Sequence, residues 1–195
     1  MPFLSETDRR SLLALARRAI AEAVSLQEPG GSIPGNGILA EKRGVFVTLH
    51  ARGRLRGCIG VVEPFEPLGE AVMRCAASAA LRDPRFSAVR AEEVADLQIE
   101  ISLLSPLEPL ALESVEIGKH GLLIVQGGKR GLLLPQVAVE HKLGREEFLE
   151  ETCRKAGLSA KAWQEPETQL LGFTCEVFSE GSEHAVSSGQ VPANR

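Results

Sequence analysis

A thiol and a guanidinium stand two residues apart in Leu55-Arg-Gly-Cys-Ile-Gly60. Side chains of an extended strand alternate between its faces, so Arg56 and Cys58 are expected to project together. A guanidinium beside a sulfur favours the thiolate, which is the nucleophilic form. Gly57 and Gly60 remove bulk next to both residues and let backbone or ligand approach. Cys58 is therefore the candidate nucleophile, with Arg56 as its charge partner or as an anchor for an anion. His120 is the candidate general base, brought in from elsewhere in the chain. The competing reading is a buried strand in which Cys58 is a small apolar side chain.

Two further groups bear on a site of this kind. Arg85, like Arg56, has the planar guanidinium that grips a carboxylate or phosphate with two parallel hydrogen bonds. Asp83-Pro84-Arg85-Phe86 is also a turn that sets an acid beside a base, so Arg85 could equally pair with Asp83 or cap nearby carbonyls. Glu100 lies on the polar side of an alternating segment, either as a solvated carboxylate or as one lining a cleft. His120 sits between Lys119 and Gly121, where a turn histidine bonded to backbone competes with the catalytic role. Cys75, Cys153 and Cys175 each fall among apolar neighbours and read as core thiols. No metal-ligand spacing of a known type occurs, and no cofactor is indicated. Gly127, Gly128 and Gly131 lack the strand–loop–helix setting of a phosphate cradle, and a hairpin turn explains them.

These residues need elements to position them. Ser5 and Asp8 form a capping box before a helix expected over Glu6–Leu26, with Leu12, Ala16, Ile20 and Ala23 at helical spacing. Residues 27–37 hold two Pro and four Gly and read as a loop. Val45–His50 alternates as a strand, Arg52-Gly53-Arg54 is a hairpin tip, and Leu55–Val62 returns antiparallel. Pro67 opens a helix that must stop near Asp83, because Pro84 disfavours helical geometry in the residue before it. Leu97–Leu103 alternates as a strand. Gly121–Gln126 and Gly131–Pro135 form a second hairpin about the Gly127–Lys129 turn. A helix runs from Arg145 to Ala156, stopped by Gly157. Leu171, Phe173, Cys175 and Val177 alternate as a last strand. Residues 180–195, where Ser, Gly, Pro and Asn stand among little apolar content, are expected to be a disordered tail. Hairpins without regular strand–helix alternation predict an α+β fold, mainly antiparallel sheet with flanking helices.

Composition narrows the function classes. The 195 residues carry a net charge of −4 with no basic run, which argues against nucleic acid. Seven Phe, one Trp and no Tyr leave little for stacking on bases. No apolar run approaches the roughly 20 residues of a membrane span. Four scattered cysteines with no signal peptide predict reduced thiols and a cytoplasmic location.

Several stretches resemble one family in one order. They are Gly44-Val-Phe-Val-Thr-Leu49, Gly53-x-Leu-Arg-Gly-Cys-Ile-Gly60 and Ala79-Ala-x-x-Asp-Pro-Arg-Phe86. Ile99-Glu-Ile-Ser-x-Leu-Ser-Pro106, Lys119-His-Gly-Leu122, Leu133-Leu-Pro-Gln-Val137 and Cys153-Arg-Lys-Ala-Gly-Leu158 follow. Together they resemble the AMMECR domain family, known in prokaryotes as AmmeMemoRadiSam system protein A, across residues 5–178. The resemblance implies one domain of a larger and a smaller lobe meeting at a cleft near the hexapeptide. It also implies a pathway shared with a Memo-like protein and a radical S-adenosylmethionine protein. No settled reaction comes with it. Two functions follow as expectations. One is an enzyme or enzyme subunit using Cys58 beside Arg56 on a small anionic substrate. The other is an accessory protein that binds those partners through the same patch.

Overall fold

The computed structural model describes residues 4–26, 37–63 and 65–181. The expected loop over 27–37 and the tail over 180–195 fall almost entirely outside them. The chain divides into two compact units, one running to Leu104 and resuming at Glu176, the other containing Ser105–Cys175.

The first unit begins with α1 (Glu6–Val24), whose capping box forms as expected: Asp8 N–H donates to Ser5 Oγ at 3.1 Å, and Ser5 N–H donates to Asp8 Oδ2 at 3.2 Å. β1 (Val45–Ala51) and β2 (Arg54–Val61) make the hairpin that carries the hexapeptide. Its turn is only Arg52-Gly53, both at positive φ (51° and 73°), the left-handed pair that matches strand twist. α2 (Leu68–Leu81) follows, and a single-strand return through β3 (Leu97–Leu104) pairs antiparallel with β1. β8 (Cys175–Ser179) completes a four-stranded sheet of order β2-β1-β3-β8. Val45, Val47, Leu49, Ile99, Ile101 and Leu103 line its apolar face, all fully buried, and α1 and α2 cover them. Burial of each such side chain stabilises by about 1.5–3 kcal/mol. The opposite face is polar and half-open.

In the second unit β4 (Glu108–Pro109), β5 (Gly121–Gln126), β6 (Lys129–Leu133) and β7 (Gln169–Phe173) form a sheet of order β4-β7-β5-β6, antiparallel throughout. Gly127 and Gly128 supply the positive φ of the hairpin turn. α4 (Arg145–Lys155) packs Phe148, Leu149 and Cys153 against Leu122 and Ile124. The fold is α+β, as the sequence predicts.

Two elements depart from expectation. Pro135 starts α3 (Pro135–Glu140) rather than ending a strand, since proline suits the first helical position. The single last strand is in fact β7 and β8, interrupted at Thr174 and belonging to different sheets. Beyond the interruption the inward set shifts: Phe178 is buried while Val177 is 50% exposed.

Candidate functional site

The polar face of the first sheet is built by register. Thr48 on β1 lies opposite Cys58 on β2 and opposite Glu100 on β3. Directly opposed residues of a sheet share a face, so thiol, hydroxyl and carboxylate form one row across three strands. All three are half-buried. Thr48 Oγ1 lies 3.2 Å from Cys58 Sγ in a hydrogen bond. Phe46 and Gly60 flank the row on one side, and a Cβ at Gly60 would sit 2.3 Å from the Phe46 ring. The ring therefore lies across Gly60, two residues along the strand from the thiol.

Cys58 is seated from outside the sheet. β2 is an edge strand, and Cys58 turns its main-chain groups away from β1. Its N–H donates to Asp83 Oδ2 at 2.8 Å, and its carbonyl accepts from Arg85 Nη2 at 3.4 Å. Asp83 has a side chain only 2% exposed and also accepts from Arg85 Nε at 3.0 Å, Nη2 at 2.7 Å and backbone N–H at 3.1 Å. The Asp83–Arg85 pair anticipated from the turn is thus present, and it reaches across to the hexapeptide. Hydrogen bonding to Arg85 holds the Asp83 carboxyl well below the usual carboxylate range, against the opposing effect of burial. Arg85 is raised in turn, chiefly by Asp83, with smaller contributions from the Cys58 thiol. Its side chain stays 55% exposed, with Cζ 5.4 Å from the Phe86 ring centroid.

Arg56 has a different setting from the one strict alternation predicts. The register passes from Leu49–Gly57 to His50–Leu55, so Arg56 is the extra residue of a β-bulge. Its guanidinium donates to Glu93 Oε1 at 3.1 Å and Oε2 at 3.2 Å, to Ser87 O at 2.8 Å and to Ala88 O at 3.3 Å. Arg56 holds Glu93 below its ordinary carboxylate range. This cation is spent on anchoring the segment after α2, and Arg85 is the guanidinium that the structure brings to Cys58.

His120 belongs to the second unit and Cys58 to the first. Glu116 N–H donates to His120 Nδ1 at 3.1 Å, so in the neutral ring the proton sits on Nε2. The Glu100 carboxylate has no hydrogen-bond or ion-pair partner among the described residues, its main chain being paired with Thr48 in the sheet. Burial pushes the Cys75 thiol up to about 11 and that of Cys175 to about 12, and it raises Cys153 as well. These three are protonated at neutral pH. Among the described residues no group of three His, Cys, Asp or Glu is placed to hold a metal ion, and no helix is long and apolar enough to cross a membrane. The second unit carries its own groove of about 450 Å³, lined by Leu133, Val137, His141, Leu143, Glu151 and Lys155.

What sequence reasoning missed is Thr48 as a partner of the thiol and Asp83 as its seat. The signal for Asp83 lay in the acid–base turn, but its target 25 residues away did not.

Comparison with known proteins agrees with this architecture. A protein of Methanothermobacter thermautotrophicus is 44% identical over 188 residues, covering 91% of this chain and 96% of the relative. One from Methanopyrus kandleri is 42% identical over 179 residues, covering 87% and 86%. The crystal structure of the uncharacterized protein PH0010 from Pyrococcus horikoshii matches with a TM-score of 0.76 at 41% identity, covering 87% of this chain and 90% of that one. The model of the AMMECR1 family matches residues 13–178, a span that takes in the hairpin, the Asp83–Arg85 turn and both sheets, and the chain belongs to that family.

Proposed function

We propose that the protein is an enzyme, or the thiol-bearing subunit of one, in which Cys58 is the nucleophile and Arg85 binds a small anionic substrate. The observation that carries this reading is the half-exposed Arg85 guanidinium, clamped by buried Asp83 beside the half-buried Cys58. A clamped guanidinium loses little freedom on taking an anion. Arg56 serves as a positioning residue, and the reading needs no contribution from His120. The resemblance adds a pathway shared with a Memo-like protein and a radical S-adenosylmethionine protein.

A second reading, an accessory protein that presents the same face to such a partner, draws on Leu55. It stands at the head of the hexapeptide and is 43% exposed.

Alkylation with iodoacetate and iodoacetamide distinguishes the two. In both reagents the sulfur displaces iodide, but only iodoacetate carries an anion for Arg85. Cys58 is expected to react first of the four cysteines by peptide mass spectrometry, with an iodoacetate-to-iodoacetamide rate ratio severalfold above that of glutathione. Arg85→Gln is expected to bring the ratio down to the glutathione value. Equal ratios in the unaltered protein and in glutathione would overturn the anion-binding thiol.

A further inference from the structure

We infer that the substrate face takes an elongated zwitterion, with its anionic end at Arg85 and an ammonium at Glu100. This rests on the reading of Cys58 and Arg85 given above and extends it to the far end of the row.

The geometry supplies the length. Because Cys58 turns its N–H and C=O outward, Thr48 and Cys58 form the close, non-hydrogen-bonded kind of pair, and Thr48 and Glu100 form the wider kind. Such pairs place Cα atoms about 4.5 and 5.5 Å apart, so Cys58 and Glu100 stand roughly 10 Å apart along the row. Arg85 reaches Cys58 from beyond the free margin of β2, which sets it at the opposite end from Glu100. The order across the face is therefore guanidinium, thiol, hydroxyl, carboxylate.

Charge supplies the polarity. Half-burial removes water from a carboxylate, and that cost is normally met by a cation or by donors. Glu93, Glu176 and Glu180 in the same unit are each bonded to an arginine. Glu100 has no such partner among the described residues. On the face, Thr48 on β1 and Gln98 and Ser102 along its own strand are uncharged. On its other side lies β8, where Glu176, and Glu180 just past the strand, are bonded to Arg9 and Arg17. A ligand ammonium is the group this position lacks. The Thr48 hydroxyl midway, whose proton goes to Cys58 Sγ, can accept from the intervening chain, and the Phe46 ring lies across Gly60 nearby. A short peptide or a long ω-amino acid has this charge separation, whereas a single α-amino acid is too short to touch both ends.

Protection of Cys58 tests the inference, with triglycine, N-acetyltriglycine and triglycinamide as probes and iodoacetamide as the uncharged reagent. Triglycine at millimolar concentration is expected to slow Cys58 alkylation at least threefold, and the acetylated or amidated forms to do so much less. Glu100→Gln, checked for folding by circular dichroism, is expected to abolish the difference between triglycine and its acetylated form while keeping the iodoacetate preference of Cys58. Equal protection by triglycine and N-acetyltriglycine overturns the zwitterion. So does absence of protection by any probe in a protein that still prefers iodoacetate, and the anion site then survives alone. Loss of the iodoacetate preference in the unaltered protein brings down both readings.

Discussion

Gly57→Ala is expected to destabilise the protein by about 2–3 kcal/mol. A Cβ at this position would lie 2.2 Å from the Ala79 carbonyl oxygen and 3.1 Å from its carbonyl carbon, both main-chain atoms of α2. No rotamer change relieves such a contact, so strand or helix must move. β2 cannot yield easily, because Leu49 and Val47 pair with it on one side and the Asp83–Arg85 clamp holds Cys58 on the other. α2 cannot yield without opening the layer of Val72, Ala76 and Ala79 against the sheet, all essentially buried. Urea unfolding should show a lower midpoint with an unchanged slope. A variant within about 0.5 kcal/mol of the parent would mean that helix and strand separate at little cost, contrary to a close-packed interior. The alternation that makes Gly57 face the helix also makes Cys58 face away from it, so the glycine and the thiol are two sides of one requirement.

Asp83→Asn is expected to cost about 2–3 kcal/mol at pH 7. The amide can still accept from Cys58 N–H through its oxygen, but its NH₂ group then confronts the Arg85 donors. Only one end of the pair is buried, which places the loss below that of a fully buried ion pair. The pH dependence has a definite sign. The carboxyl of Asp83 is held below its ordinary range in the folded chain. As pH falls, the unfolded chain takes up the proton first, near the usual aspartate value of about 4. The stabilisation is therefore complete above roughly pH 5 and is lost progressively as pH falls below it. The stability gap between parent and variant should narrow between pH 5 and pH 3. A gap that stays constant on acidification would show that Asp83 does not act through its charge. The variant should also lose part of its iodoacetate preference at Cys58, since Arg85 is no longer held in place.

The parts of this arrangement that sequence revealed are the local ones. Period-2 alternation and the Arg52-Gly53 turn placed the hexapeptide on a hairpin, and Pro84 after Asp83 marked the end of α2 and the acid–base turn. Ser5 and Asp8 declared the first helix by capping chemistry alone. Three features were hidden for physical reasons. The bulge at Arg56 inserts a residue without changing residue type, so alternation set Arg56 beside Cys58 when its hydrogen bonds go to Glu93, Ser87 and Ala88. The row of Cys58, Thr48 and Glu100 depends on the hairpin register, which the bulge at Arg56 shifts, and on the β1–β3 register, which joins strands far apart in the chain and leaves no local mark. The residue types keep alternating from β7 into β8, which hides both the break at Thr174 and the shift of the buried set to Phe178.

The clamp on Cys58 has a consequence beyond seating a thiol. An edge strand with unused main-chain donors and acceptors is a template on which a second molecule can add its own strand. Asp83 and Arg85 occupy those groups at Cys58, and Arg56 bulges the strand a step earlier. The residues that seat Cys58 thereby also refuse a foreign strand. Loosening the clamp would free a sticky margin, so self-association and loss of the proposed iodoacetate preference should appear in the same variants.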